Sequence, residues 1–311
     1  MSESPSIAEE EARCETCGKP HHFDSEQSLT RLVSELRATV RELSERLDAV
    51  EGRPKGHGAR GIPLTRAERV LGGRLSLVGD WPATVCVGRA RENSETRWVG
   101  SGVVIHPFVV LTAAHVAGQL ESASLRVLTR SVEAPPRSAD AVVLDVAEVA
   151  IHPEYRSGGA PSNDLALLRL ADHSPVDPVA FADPGLQLHE GRTLVLCGFG
   201  AADEHGLAGF GTLRWAEERP LSADPNDEAE YGFDNSFEFV VGRRKGSLDT
   251  CRGDSGGPVY FINDQVVELV GVTLRPVRDR TRECGDGGVY ARVGAYRTWI
   301  DGVVAGWKYR L

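Results

Sequence analysis

The sequence predicts an all-β barrel or sandwich that ends in a helix. From about residue 70 onward, short apolar runs alternate with turn-forming segments, as in antiparallel sheets. The 34 glycines and 17 prolines among 311 residues fit such a turn-rich fold. The predicted strands include residues 83–87, 102–105, 109–112, 165–170, 193–196, 266–273 and 288–293. Residues 295–307 form the predicted helix, with Trp299, Ile300 and Val303 on one face.

Charge and hydropathy exclude two classes of partner. The formal net charge is −10, whereas non-specific nucleic-acid binding needs a basic face. No run of about 18 apolar residues is present, so we expect no membrane partner. Residues 1–11 lack the basic and apolar regions of a secretory signal, which predicts a cytoplasmic protein.

Residues 1–24 form an acidic tail with two cysteines and two adjacent histidines. Thiolate and imidazole are typical zinc ligands, so Cys14, Cys17 and His21 are candidate ligands for a zinc ion. A disordered tail or a redox-active cysteine pair are the alternatives.

Residues 25–51 carry apolar side chains at alternating spacings of four and three. They are Leu29, Val33, Leu36, Val40, Leu43, Leu47 and Val50. This heptad pattern predicts a coiled-coil helix and therefore a homodimer. The alternative is an amphipathic helix that packs on the chain's own β domain. Residues 52–69 are rich in glycine, proline and basic residues, as a linker would be.

Three runs carry the residue types that serine-based peptide hydrolysis requires. Such chemistry needs a nucleophile, a base, a carboxylate that orients the base, and donors for the oxyanion. His115 follows an apolar run at a small-residue turn, and Asp164 opens a predicted buried strand. Ser255 lies in the glycine-rich run Gly253-Asp254-Ser255-Gly256-Gly257-Pro258.

In their order and flanking residues, these runs resemble the trypsin and chymotrypsin family of serine proteases. Residues 151–155, Gly198-Phe199-Gly200 and residues 288–290 add to the resemblance, which covers roughly residues 70–307. It implies a protease domain over residues 70–311 with two six-stranded antiparallel β-barrels, a terminal helix and the site between the barrels. The N-terminal helical extension would precede this domain.

The resemblance also implies the role of each site residue. Ser255 would attack the scissile carbonyl, His115 would accept and return the proton, and Asp164 would orient His115. The backbone N–H groups of Gly253 and Ser255 would form the oxyanion hole. No cofactor is required for this chemistry, and the partner is a protein substrate.

Asp249 lies six positions before Ser255, where the family has the base of its primary specificity pocket. A buried carboxylate there favours substrates with Arg or Lys, through charge-assisted hydrogen bonds. Gly288 resembles the glycine of the pocket wall. The alternative for Asp249 is a solvated loop residue.

In the family, the aspartate before the nucleophile pairs with an N-terminus that cleavage releases. Here that aspartate is Asp254, and Val70-Leu71-Gly72-Gly73 follows Arg69 where the released sequence would begin. The chain is thus predicted to be a zymogen cleaved at Arg69–Val70. Autoactivation fits the specificity that Asp249 implies, and dimerisation would promote it.

The sequence also departs from the family. Cys251 and Cys284 match a family disulfide, but Ser101 and Val116 stand where another disulfide would clamp the histidine loop. Leu274-Arg275-Pro276 replaces the Ser-Trp-Gly of the strand beside the pocket. An insert with Arg278, Arg280 and Arg282 follows, and it is either a basic rim for an acidic substrate or partner, or a solvated loop.

The leading interpretation is a serine endopeptidase zymogen that cleaves a specific intracellular protein after Arg or Lys. A bacterial stress or defence system is a candidate source of a regulatory partner. The alternatives are a pseudoprotease adaptor, which binds through the coiled coil and the protease fold, and a zinc-dependent interaction module at the N-terminus.

Overall fold

The structure is a computed structural model. It describes residues 73–91, 95–118, 122–189, 191–203, 205–220, 225–242, 249–263, 266–278 and 280–311. The acidic tail, the helix predicted over residues 25–51 and the Arg69–Val70 bond lie outside these residues. The candidate zinc ligands Cys14, Cys17 and His21 lie outside them as well, so these hypotheses stay predictions.

The described part of the chain contains fourteen strands and three α-helices. The strands are β1 (Arg74–Leu75), β2 (Thr84–Ala90), β3 (Thr96–His106), β4 (Val109–Thr112), β5 (Leu125–Thr129), β6 (Val142–Ile151), β7 (Ala166–Leu170), β8 (Ala180–Phe181), β9 (Leu194–Gly198), β10 (Arg214–Glu218), β11 (Glu238–Val241), β12 (Pro258–Asn263), β13 (Val266–Pro276) and β14 (Gly288–Arg292). The helices are α1 (Ala114–Ala117), α2 (Pro225–Tyr231) and α3 (Arg297–Gly306). Each strand predicted above coincides with one of these, so the predominantly β class is confirmed.

The first half of the domain forms a closed six-stranded barrel in the order β2-β3-β4-β7-β6-β5. Every neighbouring pair is antiparallel. The interior is filled by branched aliphatic side chains, among them Val85, Val103, Leu111 and Leu167, each with no exposed surface. Burial of such side chains stabilises each by about 1.5–3 kcal/mol relative to exposure.

The second half forms an eight-stranded sheet in the order β1-β10-β9-β12-β13-β14-β11, with β8 beside β13. A single antiparallel bridge joins Pro220 to Val241, between the end of β10 and β11. Proline lacks the amide hydrogen that a regular ladder would use at this position. Among the described residues the second half is an open sheet, and the second closed barrel that the resemblance implies is not shown.

Helix α3 was predicted from its apolar face and is confirmed. Ile300 and Val304 are buried, and Trp299 and Val303 pack partly buried against the same core. That core contains residues of the barrel and of the sheet. The shared core fixes how the two halves meet, and the candidate site lies along this boundary.

Candidate active site

His115 and Asp164 form a doubly hydrogen-bonded pair. The His115 ring is 39% exposed, and its Nδ1 lies 2.6 Å from Asp164 Oδ2. The second carboxylate oxygen, Oδ1, accepts the backbone N–H of His115 at 2.8 Å. With Nδ1 held by the carboxylate, Nε2 is the ring nitrogen that a general base would use to accept a proton.

The register of two strands brings this pair together. Thr112 at the end of β4 lies opposite Ala166 at the start of β7. His115 therefore follows one strand and Asp164 precedes its neighbour, on the same end of the barrel. Asn163 takes a left-handed φ of 47°, and its Oδ1 accepts the hydroxyl of Tyr296 at 3.1 Å. This hydrogen bond anchors the turn that positions Asp164.

The loop that presents Ser255 lies against the segment that carries His115. Gly256 has a φ of +81°, and a Cβ there would overlap Thr112 Oγ1 and approach the Ala113 amide nitrogen to 2.9 Å. Ser255 itself is half-buried. Only a residue without a side chain permits this approach, so the glycine places Ser255 beside the histidine turn.

The backbone of the serine loop leaves two N–H groups for an oxyanion. The Asp254, Gly256 and Gly257 amides donate to protein carbonyls at 2.8–3.0 Å. Within the described residues, the Gly253 and Ser255 amides have no protein acceptor. Gly253 adopts φ +98°, a conformation that favours glycine. The free pair is the one that the oxyanion hole would use.

Ser101 fastens the serine loop, a role that the sequence did not reveal. Its amide donates to Ser255 O at 2.8 Å, and its hydroxyl donates to Gly253 O at 3.0 Å. Its Oγ and carbonyl also accept, from the Phe199 amide at 3.0 Å and from Thr112 Oγ1 at 2.7 Å. Hydrogen bonds thus join the serine loop to the histidine strand where the family disulfide is absent.

Asp254 is buried in a space that two glycines leave open. Its carboxylate accepts the amides of Gly200 at 2.7 Å and Cys251 at 2.8 Å. A Cβ at Gly198 or Gly200 would overlap this carboxylate, which explains the Gly-Phe-Gly run. Burial raises the pKa of Asp254 to about 6, and the two amides and the charge of Arg214 oppose that rise.

Asp249 is buried, so the alternative of a solvated loop residue is wrong. The Gly285 and Gly287 amides donate to its Oδ2 at 3.1 Å each, and the Thr250 amide donates to Oδ1 at 2.7 Å. Burial raises the pKa of Asp249 to about 7, although these amides favour the anion. Gly288 pairs with Val241 on β11, so both predicted pocket residues lie at one end of this sheet.

The structure also joins Cys251 and Cys284 in a disulfide, with a Cα–Cα separation of 5.2 Å. The disulfide ties the serine loop to the arginine insert. In that insert, Arg280 pairs with Glu283 at 3.2 Å and Arg282 with Asp286 at 3.0 Å. The predicted basic rim is therefore largely neutralised by its own carboxylates.

The strand whose sequence departs from the family, β13, contributes to a buried ion pair. Arg275 on β13 donates to Glu238 at 2.7 Å and 2.8 Å. Glu238 has no exposed surface, and it also accepts the Ser162 amide at 3.0 Å. Ser162 precedes Asp164 by two residues. In the sequence, only the unusual Arg275 was a signal, and nothing marked Glu238 as its partner.

The described residues contain no cluster of three or more His, Cys, Asp or Glu that could hold a metal ion. Helices of this part of the chain are all too short or too polar to cross a bilayer.

A β-barrel packed on a β-sheet, with a His–Asp pair beside a serine that glycines flank, is the arrangement of a chymotrypsin-like domain. The family model described as Trypsin matches residues 70–300, most of the chain. The chain therefore belongs to the trypsin family.

A relative named Ovochymase, from Halocynthia roretzi, is 28% identical over 248 residues. The match covers 75% of this chain, which spans 15% of the length of that relative.

Proposed function

We propose that the chain is a serine endopeptidase that cleaves after Arg or Lys. The observation that carries the proposal is the His115–Asp164 pair, with contacts of 2.6 Å and 2.8 Å, beside the loop of Ser255. Family membership supports peptidase chemistry in general. The specificity and the activation are inferences from particular residues.

The reaction follows from the positions of these groups. Ser255 Oγ attacks the scissile carbonyl carbon while its proton passes to His115 Nε2. The resulting oxyanion accepts the Gly253 and Ser255 amides. As the C–N bond breaks, His115 returns the proton to the leaving amine, and an acyl-enzyme remains. Water then attacks the ester, with His115 again as base, and releases the acid and Ser255.

Asp249 supports the preference for a basic residue. A charge-assisted hydrogen bond from a substrate guanidinium or ammonium is worth about 1.5–3 kcal/mol. A substrate cation at Asp249 would also stabilise its ionised form, against the burial that raises its pKa. An Arg or Lys side chain of the substrate would thus give the buried carboxylate a counter-charge.

Activation by cleavage at Arg69–Val70 is the second part of the proposal. Asp254 is a buried carboxylate whose hydrogen bonds come from backbone amides. An ammonium group from Val70 would give it a full counter-charge. An intracellular protein substrate, a homodimer and a regulatory partner stay predictions from the sequence.

The test compares the wild-type chain with Ser255→Ala on matched peptides that carry Arg, Lys or Leu before the cleaved bond. We expect hydrolysis after Arg and Lys, none in Ser255→Ala, and full activity in Ser236→Ala, which changes an exposed serine. N-terminal sequencing reports whether Val70 has been released. Equal rates in Ser255→Ala and wild type would overturn the proposal, and the absence of hydrolysis by both chains would favour an adaptor.

A further inference from the structure

Arg214 and Asp254 place opposite charges on one face of the β9–β10 ladder. Arg214 lies directly opposite Gly198 in the antiparallel register. Directly opposite residues project their side chains to the same face of a sheet. Gly198 has no side chain, and the Asp254 carboxylate occupies the space where its Cβ would lie. The Arg214 side chain therefore projects from the same face of the sheet on which Asp254 lies.

Both groups are nearly removed from water. Arg214 is 7% exposed and Asp254 is 1% exposed. Arg214 Nη1 donates to the carbonyls of Gly209 at 2.7 Å and Thr212 at 3.1 Å. Its Nε is buried without a hydrogen-bond partner among the described residues. Neutral carbonyls do not compensate a buried cation, which needs an anion nearby.

Among the described residues, the other titratable groups that interact with Asp254 bring no positive charge. Asp249 is a second carboxylate, and the charge of Asp254 raises its pKa. Burial raises the pKa of Cys197 and of Tyr290 well above their usual values, so both stay neutral. Arg214 is the cation in this set, and its charge lowers the pKa of Asp254 against the effect of burial.

We propose that Arg214 is a positioning residue that keeps Asp254 charged and seated under Gly198 and Gly200 before the chain is cleaved. The uncleaved chain then has basal peptidase activity, which cleavage at Arg69–Val70 increases. This inference rests on the proposed function, because it concerns the same serine loop. The Asp254 carboxylate holds the amides of Gly200 and Cys251, and so shapes the turn that ends in Ser255.

The experiment uses the full chain with Arg69→Gln, which blocks the proposed cleavage. In this background we compare Arg214→Met, Arg214→Lys and the control Arg126→Met. Arg126 is a barrel arginine whose Nε pairs with Asp145 at 2.9 Å. Intact mass confirms that each chain is uncleaved. The readouts are kcat and KM on an Arg peptide between pH 5 and 9.

We expect Arg69→Gln alone to hydrolyse the peptide, and Arg214→Met to lower its kcat by up to about tenfold near pH 5, where the protonated form of Asp254 dominates. The acidic limb of its pH profile should move to higher pH by about one unit, because Asp254 loses its counter-charge. Arg214→Lys should restore kcat and the limb, and Arg126→Met should change neither. If Arg214→Met does not fold, Arg214→Gln removes the charge but keeps a donor.

The inference is overturned if Arg69→Gln is inactive while the cleaved wild type is active, or if loss of the Arg214 charge leaves kcat and the pH limb unchanged. Both results leave the proposed function standing. An inactive wild type after cleavage overturns the proposed function, and this inference with it.

Discussion

Arg275 Nη1 donates to Glu238 Oε1 at 2.7 Å, across 37 residues of sequence. A second bond of 2.8 Å joins Nη2 to Oε2, so the pair is bidentate. Arg275 lies two residues beyond Thr273, whose amide and carbonyl bond to the serine loop at Gly257 and Gly256. Glu238 reaches Ser162, beside the turn of Asp164. The pair thus connects both sides of the site.

Removal of one partner of this pair should destabilise the fold. Arg275→Met leaves Glu238 buried without a counter-charge, which we expect to lower the free energy of unfolding by about 3 kcal/mol or more. Arg275→Met combined with Glu238→Leu removes both charges and should recover most of that loss. Urea denaturation in a Ser255→Ala background measures both. Equal losses in the single and double variants would contradict the expected charge effect.

Asp164→Asn should leave the fold intact and lower kcat by about 10⁴-fold. An amide offers only one oxygen, so it cannot accept both the His115 ring and the His115 backbone N–H. The histidine then favours the wrong tautomer for proton transfer. Single-turnover acylation of an Arg peptide ester measures the effect. Asp172→Asn, at an exposed position, is the control and should retain the wild-type rate.

Gly200→Ala tests the space that Asp254 occupies. The added methyl would overlap the Asp254 carboxylate, so we expect a loss of about 2 kcal/mol and of most activity. Gly302→Ala in helix α3 meets no atom within 4 Å and should stabilise the chain by about 0.5–1 kcal/mol. Thermal unfolding and peptide hydrolysis report both variants. An active, unperturbed Gly200→Ala would mean that Asp254 lies elsewhere in solution.

Asp249 and Asp254 should make stability and activity change in opposite directions with pH. Their folded-state pKa values, about 7 and about 6, exceed the ordinary value of 3.8. Between pH 4 and 7 the folded chain therefore binds more protons than the unfolded chain. The stability from this uptake is fully present below about pH 4, and it is lost as pH rises through 6 and 7.

Catalysis requires the charged forms, so kcat/KM on an Arg peptide should rise over the same interval. Urea unfolding of Ser255→Ala at pH 5 and pH 8 measures the stability change, and Asp249→Asn should flatten it. Asp286 has the opposite effect on stability. Its pKa is lowered to about 2, so the stability that its ionised form contributes is lost only in stronger acid. A stability that increases from pH 5 to pH 8 would contradict this prediction.

Reduction of the Cys251–Cys284 disulfide should lower the free energy of unfolding. The bond closes a loop with a sequence separation of 33, which in the chain-entropy description corresponds to about 3–4 kcal/mol. Dithiothreitol should shift the urea midpoint of the wild type and not that of Cys251→Ala/Cys284→Ala. A midpoint insensitive to reductant would show that the disulfide adds no stability.

Local patterns predicted the fold class and the candidate triad. His115, Asp164 and Ser255 each lie in a short run whose neighbours indicate their surroundings, and the alternation of apolar runs marked the strands. The closure of a second barrel was not predictable in this way. It depends on whether Pro220 and Val241 extend their bridge, which is a property of two segments that meet only in the folded chain.

The sequence by itself determined the family, the strands of the β domain and the residues proposed for catalysis. It also supplied the heptads of residues 25–51, the cysteines and histidines near the N-terminus and the Arg69–Val70 bond, which stay predictions. Only the tertiary structure decided that Ser101 ties down the serine loop, that Glu238 neutralises Arg275, and that Arg214 shares a face with Asp254. Each of these depends on strand register and burial, because a charge or hydroxyl acquires its partner only when distant strands come into contact and water is excluded.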